Sequence, residues 1–229
     1  STVLNAILAP PTLPVYTESG EYFTGVNMLT GRVFSNPVAT ALEITNEERQ
    51  NRLVGNLFGE YDLMEGLRLR STFGIDFLSS LQNFYSPANT YPGRNFGGQG
   101  SRGTATTTLW QNENTLNYRR EIGEIHDLDL LGGITFQRIT SENVSGTAQG
   151  FLTDRLRENA LNTAQTFVGV WTGAPRSSLL SYFARANWDI SDKYLFTATG
   201  RIDGSSKFGT GNQYGFFPSG AIAWRASEE

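Results

Sequence analysis

The chain has no cysteine and only one histidine, His126, among 229 residues. Disulfides, zinc–cysteine sites and thiol nucleophiles are therefore excluded. A serine, histidine and carboxylate set would have to recruit His126 itself, which falls in a predicted short turn. Lysine is almost missing, with Lys193 and Lys207 the two examples. Without a basic patch or an arginine-rich stripe, the mild net charge of -4 gives no reason to expect nucleic acid. No run of about 18 apolar residues occurs, which rules out a transmembrane helix, and residues 1–9 lack the basic-then-apolar order of an export leader. No metal-ligand spacing and no cofactor motif is present. The glycines of residues 84–102 lack the Lys-Ser/Thr pair and following helix of a phosphate loop.

What the sequence does contain is period two over unusual lengths. Leu180, Tyr182, Ala184, Ala186, Trp188 and Ile190 alternate with Ser181, Arg185, Asn187 and Asp189. After Ser191-Asp192-Lys193, Tyr194, Phe196, Ala198, Gly200 and Ile202 stand opposite Thr197, Thr199, Arg201 and Asp203. Leu67, Leu69, Phe73, Ile75 and Phe77 oppose Arg68, Arg70, Thr72 and Asp76. Ordinary strands run ~5 to 6 residues, whereas a tilted strand needs ~9 to 11 to cross a hydrocarbon layer. Because only alternate residues of such a strand meet lipid, mean hydropathy stays low while the dyad pattern carries the signal.

Seven strands are predicted, over 52–62, 67–83, 103–121, 127–145, 178–190, 193–208 and 214–226. Short turns at 62–66, 122–127 and 191–193 alternate with long connections at 84–102, 146–176 and 209–213, the asymmetry of an outer-membrane barrel. Within the third connection, residues 152–161 have helical character with Thr153 as a cap. Residues 1–51 have no sustained period: a helical turn is expected at 2–8, followed by a long structured loop. Tyr61, Tyr118, Trp188, Tyr194 and Trp224 lie near short-turn ends on the apolar parity, as membrane-interface aromatics would. Arg68, Arg70, Asp76, Asp129, Arg201, Asp203 and Arg225 fall on the polar parity and are candidates to face a lumen. They would meet a polar solute there, or an inserted plug. Tyr16, Tyr22, Phe23, Tyr91 and Trp171 sit in the long loops as candidate ligand or lid contacts.

The fold class read from this pattern is all-β, an antiparallel transmembrane β-barrel segment. The run GRIDGSSKFG, then YGFFPSGAIAWR and SEE, resembles the late barrel of the SusC/RagA group of TonB-dependent outer-membrane transporters. PPTLPVY, NPVA and RLVGNLFGEYDLMEGLRLRSTFGIDF extend the likeness over nearly the whole chain. The family's TonB box, plug domain and many of its strands have no counterpart, which implies an internal segment of a longer protein. The resemblance implies import of oligosaccharides or peptides across the outer membrane of a Gram-negative bacterium. Its implied partners are a SusD-like lipoprotein lid and TonB, the latter acting through the absent amino-terminal region. Two other readings remain at this point: a soluble β-sandwich that binds carbohydrate, its apolar faces packed together, and a membrane-barrel hydrolase using His126.

Overall fold

The computed structural model describes residues 6–7, 9, 12–26 and 33–226. Among the described residues ten strands are present: β1 (Gly25–Val26), β2 (Val33–Phe34), β3 (Thr45–Met64), β4 (Leu67–Ser86), β5 (Gln99–Ile122), β6 (His126–Phe151), β7 (Ala164–Gly173), β8 (Arg176–Ile190), β9 (Tyr194–Ser205) and β10 (Tyr214–Trp224). β1 and β2 pair as a small hairpin. The other eight form one antiparallel sheet in the order β10-β9-β8-β6-β5-β4-β3, with β7 also on β6.

β6 pairs with both β7 and β8, through different parts of its length. Asn143 to Phe151 pair with β7 and His126 to Thr140 with β8. The break falls at Ala174-Pro175, where the proline has no N–H to give to a ladder. Its carbonyl still accepts from the Ser141 N–H at 3.0 Å. The connection expected over 146–176 is thereby corrected: most of it is strand, and only residues 152–163 join β6 to β7. The strand predicted from residue 52 begins at Thr45, and that predicted over 127–145 continues to Phe151. The helix expected over 152–161 is a 3-10 helix at Arg157–Thr163, kinked at Ala160. Thr153 accepts only from the Arg155 N–H, at 3.4 Å. The helical turn expected at 2–8 falls largely outside the described residues.

The turns are tight for local reasons. Gly66 takes φ 78 between β3 and β4, a conformation that glycine adopts without a steric penalty. Ser191 and Asp192 share the left-handed region between β8 and β9, at φ 59 and 55, in a turn closed by the Lys193 N–H on the Ile190 carbonyl. Polar residues with short side chains tolerate this geometry best after glycine. Helix α1 (Pro37–Glu43) starts at Asn36, whose side chain accepts from the Val38 and Ala39 N–H groups, with proline at the first helical position.

Contacts divide the chain into two units. The first comprises residues 1–51, 79–106 and 142–173 and holds almost all of the buried side chains. Tyr85 is 0% exposed, its ring edge-on to Phe151 at 5.2 Å, with Gly100 against both rings and Leu161. The Tyr85 hydroxyl donates to Asp154 at 2.5 Å, Arg157 donates to Thr45 at 2.9 Å and Arg102 to Asn159 at 2.7 Å. These bonds tie the 152–163 connection to strand ends within this unit.

The second unit, residues 52–78, 107–141 and 174–229, has no comparable core among its described residues. Its large apolar side chains are on the surface: Leu57 is 76% and Ile222 77% exposed. A globular sheet would cover such a face with a second layer. There is no second large sheet among the described residues. The sandwich reading required Leu69, Phe73, Phe196 and Trp224 to meet across two sheets. Instead all four sit on one sheet, Leu69, Phe73 and Trp224 being well exposed.

Candidate functional site

Registers and side-chain contacts sort the second unit into two faces. On one, Leu128 pairs with Trp188, Leu130 with Ala186, Gly132 with Ala184, Ile134 with Tyr182 and Phe136 with Leu180. The same face continues through Trp188–Phe196, Ala186–Ala198 and Ala184–Gly200 to Ile222, Gly220 and Pro218. Trp110 packs between Phe73 and Phe136, with centroids at 6.3 and 5.1 Å, which brings β4 and β5 into the same apolar surface. Asn112 and Asn114 share the parity of Trp110, a departure from simple alternation. Their amides are engaged: Asn112 donates to the Thr72 carbonyl at 3.1 Å, and Asn114 to Asn112 at 2.7 Å.

The opposite face carries a set of ion pairs, and each of the seven polar-face candidates belongs to one. Arg68 meets Asp62 at 2.7 Å, Arg70 meets Glu60 at 3.1 Å, and Asp76 receives both Nε and Nη2 of Arg52 at 2.9 and 2.6 Å. Asp129 pairs with Arg119 at 2.9 Å and accepts from Asn117 at 2.7 Å. Arg201 holds Asp203 at 2.7 Å and donates to the buried Ser181 hydroxyl at 3.1 Å. Arg225 reaches Asp189 at 3.8 Å and Asp192 at 3.4 Å. The face is therefore polar but largely neutralised. It presents hydrogen-bonding capacity without a strong field of one sign.

Three aromatic residues on this face escaped the alternation argument, because the pattern was read by its majority. Phe58 lies under the Arg70 guanidinium at 4.4 Å, Phe183 faces Arg201 at 5.9 Å, and Phe217 pairs with Arg201 across the strands. Gly133 makes room for Phe183: a Cβ there would collide with the ring. The signal was available, since Phe183 and Phe217 share the parity of Arg185 and Ser219.

The loop candidates divide. The Tyr16 and Tyr22 rings meet at a tilt with centroids 5.3 Å apart, and the Tyr22 hydroxyl donates to Glu43 at 2.8 Å. That hydrogen bond, helped by partial burial and the Glu43 charge, pushes the Tyr22 phenol up to about 12. The Phe23 carbonyl accepts from Asn36 at 3.1 Å, and the same amide donates to the Val15 carbonyl at 2.8 Å. Tyr91 opens a four-residue helix, α2 (Tyr91–Arg94), and remains partly exposed. Trp171 is a correction: it stands in β7 opposite Ser145 rather than in a loop, with its indole over Gly169. Tyr16, Tyr22 and Phe23 thus belong to one cluster, and nothing joins Tyr91 or Trp171 to it among the described residues.

The five aromatics expected at a membrane interface lie on the apolar face near the short turns. Tyr194 pairs with Trp224, Trp188 with Phe196, and Tyr118 lies over the Gly66 turn. Tyr61 is exposed two residues before the end of the same parity on β3. His126 opens β6, its ring 5.6 Å from Trp188 and its Nδ1 buried without a partner. Ser191 lines the same surface hollow as His126, but no hydrogen bond joins the two among the described residues, and no cluster there is arranged to hold a metal.

A family model described as TonB dependent receptor-like, beta-barrel, matches residues 13–229. TonB-dependent receptor P26 of Formosa agariphila is 40% identical over 98% of this chain, which covers 23% of that protein. TonB-dependent receptor SusC of Bacteroides thetaiotaomicron is 30% identical over 98% of this chain and 24% of its own length. Among solved structures, the RagAB peptide transporter superposes with a TM-score of 0.76 at 21% identity, over 87% of this chain and 22% of that one. The chain thus spans about a quarter of the length of the relatives it matches.

Proposed function

The chain belongs to the TonB-dependent receptor-like β-barrel family, and from that membership we propose that it forms part of the wall of an outer-membrane nutrient importer. The observation that carries this reading is the second unit's pair of unlike faces: an uncovered apolar side and an ion-paired polar side. In water the apolar face is an aggregation hazard. In a bilayer it is the expected outer surface of a barrel, and the polar side then lines the interior. A large family barrel encloses a lumen too wide to be filled by its own wall side chains. The neutralised pairs suit either a plug inserted there or a polar, uncharged solute passing by.

The cargo proposed is an oligosaccharide or a peptide. Both alternatives come from the sequence resemblance to the SusC/RagA group, which favours neither over the other. The partners proposed are a SusD-like lipoprotein over the long-connection side and TonB, acting through a region outside residues 1–229. The test uses the full-length parent. It should fractionate with outer membranes and migrate differently on detergent gels before and after heating. Its disruption should abolish growth on one class of oligosaccharide or peptide. A parent recovered as a water-soluble monomer would remove the proposal.

A further inference from the structure

Among the described residues three strand arginines, Arg138, Arg176 and Arg185, have no side-chain partner, and of these Arg138 and Arg176 share the apolar face while Arg185 lies on the polar one. Neither guanidinium of the apolar-face pair is in an ion pair or a side-chain hydrogen bond among the described residues, and both are exposed. The register sets Arg138 opposite Ser178 and Thr140 opposite Arg176, directly beyond the Phe136–Leu180 pair. The two cations are thus diagonal neighbours, with Cα atoms about 7–8 Å apart, close enough for both side chains to converge on one tetrahedral anion.

Their height on the sheet is informative. From Leu128, level with Trp188, to Arg138 the strand rises about 34 Å at ~3.4 Å per residue. Tilted by ~45°, this is about 24 Å along the membrane normal, against an apolar band of ~25 Å. The arginines therefore fall where hydrocarbon gives way to headgroups, Arg176 at the start of β8 and Arg138 halfway along β6, which runs on beyond that level to Phe151. A lone cation next to an apolar face is penalised unless an anion completes it. Guanidinium is well suited to phosphate because its parallel N–H groups bond two oxygens at once. Toward the short turns, the same face has a shallow depression floored by Gly132, Ala184, Ala198 and Gly200 beside Leu116 and Leu130. A hydrocarbon chain hanging from the headgroup would reach it.

We propose that Arg138 and Arg176, with the Ser178 and Thr140 hydroxyls, bind the phosphate of a phosphorylated glycolipid in the outer leaflet. This rests on the outer-membrane reading above. The experiment takes the full-length parent in detergent and titrates it with monophosphoryl lipid A, the same lipid without its phosphate, and phosphatidylglycerol, following bound lipid by native mass spectrometry. The wild type is expected to prefer the phosphorylated glycolipid by about tenfold or more. Each of Arg138→Gln and Arg176→Gln should weaken it about fivefold, the equivalent of ~1 kcal/mol per cation near a charged leaflet. Arg185→Gln, on the polar face, should leave binding unchanged. Equal retention by the double variant, equal binding of the dephosphorylated lipid or of phosphatidylglycerol, or an equal loss in Arg185→Gln would each overturn the proposal. Outer-membrane fractionation and heat-modifiable migration of the same samples separate the two failures. A parent that fractionates correctly but ignores the substitutions refutes only the lipid site.

Discussion

At the scale of single residues, Gly66 makes the strongest demand on its position. It combines φ 78 with an approach so close that a Cβ would run into the Arg119 carbonyl oxygen, while its own carbonyl accepts the Arg119 N–H at 2.8 Å. Gly66→Ala should therefore destabilise the barrel by about 1–3 kcal/mol, read as a lower temperature for the heat-induced gel shift. Gly55→Ala, where a Cβ meets open space, should leave that temperature unchanged. Tyr22 gives a prediction of another kind. Its pKa is raised from 10.0 to about 12, first by the hydrogen bond to Glu43. For a group with a raised native pKa, the associated stability is complete below the unfolded value and is lost as pH climbs through the native one. The Tyr16–Tyr22–Glu43 cluster should accordingly hold at pH 9 and loosen between about 10 and 12. In a tyrosinate absorbance titration, Tyr22→Phe should remove one late-ionising phenol and leave the earlier ones in place.

At the scale of elements, the unlike faces predict opposite responses to the same new charge. Ala184 lies on the apolar face opposite Gly132, and Asn187 lies on the other opposite Asp129. Ala184→Arg should cost about 2–4 kcal/mol, as arginine does on the lipid side of a barrel. Asn187→Arg forfeits the 2.9 Å hydrogen bond from Thr197 but sets a cation opposite Asp129, and should cost no more than about 1 kcal/mol, with refolding into detergent as the measurement. The strand pattern was legible wherever one parity stayed apolar, as in β4, β6, β8 and β9. It was not legible in β7, because the AQTFVGVWTG sequence places apolar groups on both parities. The register shift between Thr147 and Ala148 also displaces the alternation of the neighbouring part of β6. The Pro175 break and the helical look of residues 152–161 then drew the whole stretch into one supposed loop. Helix α1 has a sequence signal in Asn36-Pro37, a cap followed by proline at the first helical position. The polar-face candidates could be named from parity, but their partners Arg52, Arg119 and Asp189 could not. Pairing depends on register, which alternation leaves undetermined.

At the scale of the whole molecule, the resemblance to SusC/RagA-type receptors agrees with the match across residues 13–229. β3 and β10 terminate the sheet, each bonded along one edge only. Bare edges on long strands with an uncovered apolar face invite association. The 229-residue chain produced by itself in aqueous buffer should therefore sediment as aggregate, whereas a monomer that unfolds cooperatively would contradict the assignment of that face to lipid. The two lysines offer a more direct test. Lys193 closes the tight turn before β9, and Lys207 lies in the connection just after it, so one strand separates the chain's two primary side-chain amines. In intact cells of the native host, a membrane-impermeant acylating reagent should modify Lys207 and spare Lys193, and broken cells should lose the distinction. Peptide mapping of those two positions would thus report the orientation of the protein without any substitution at all.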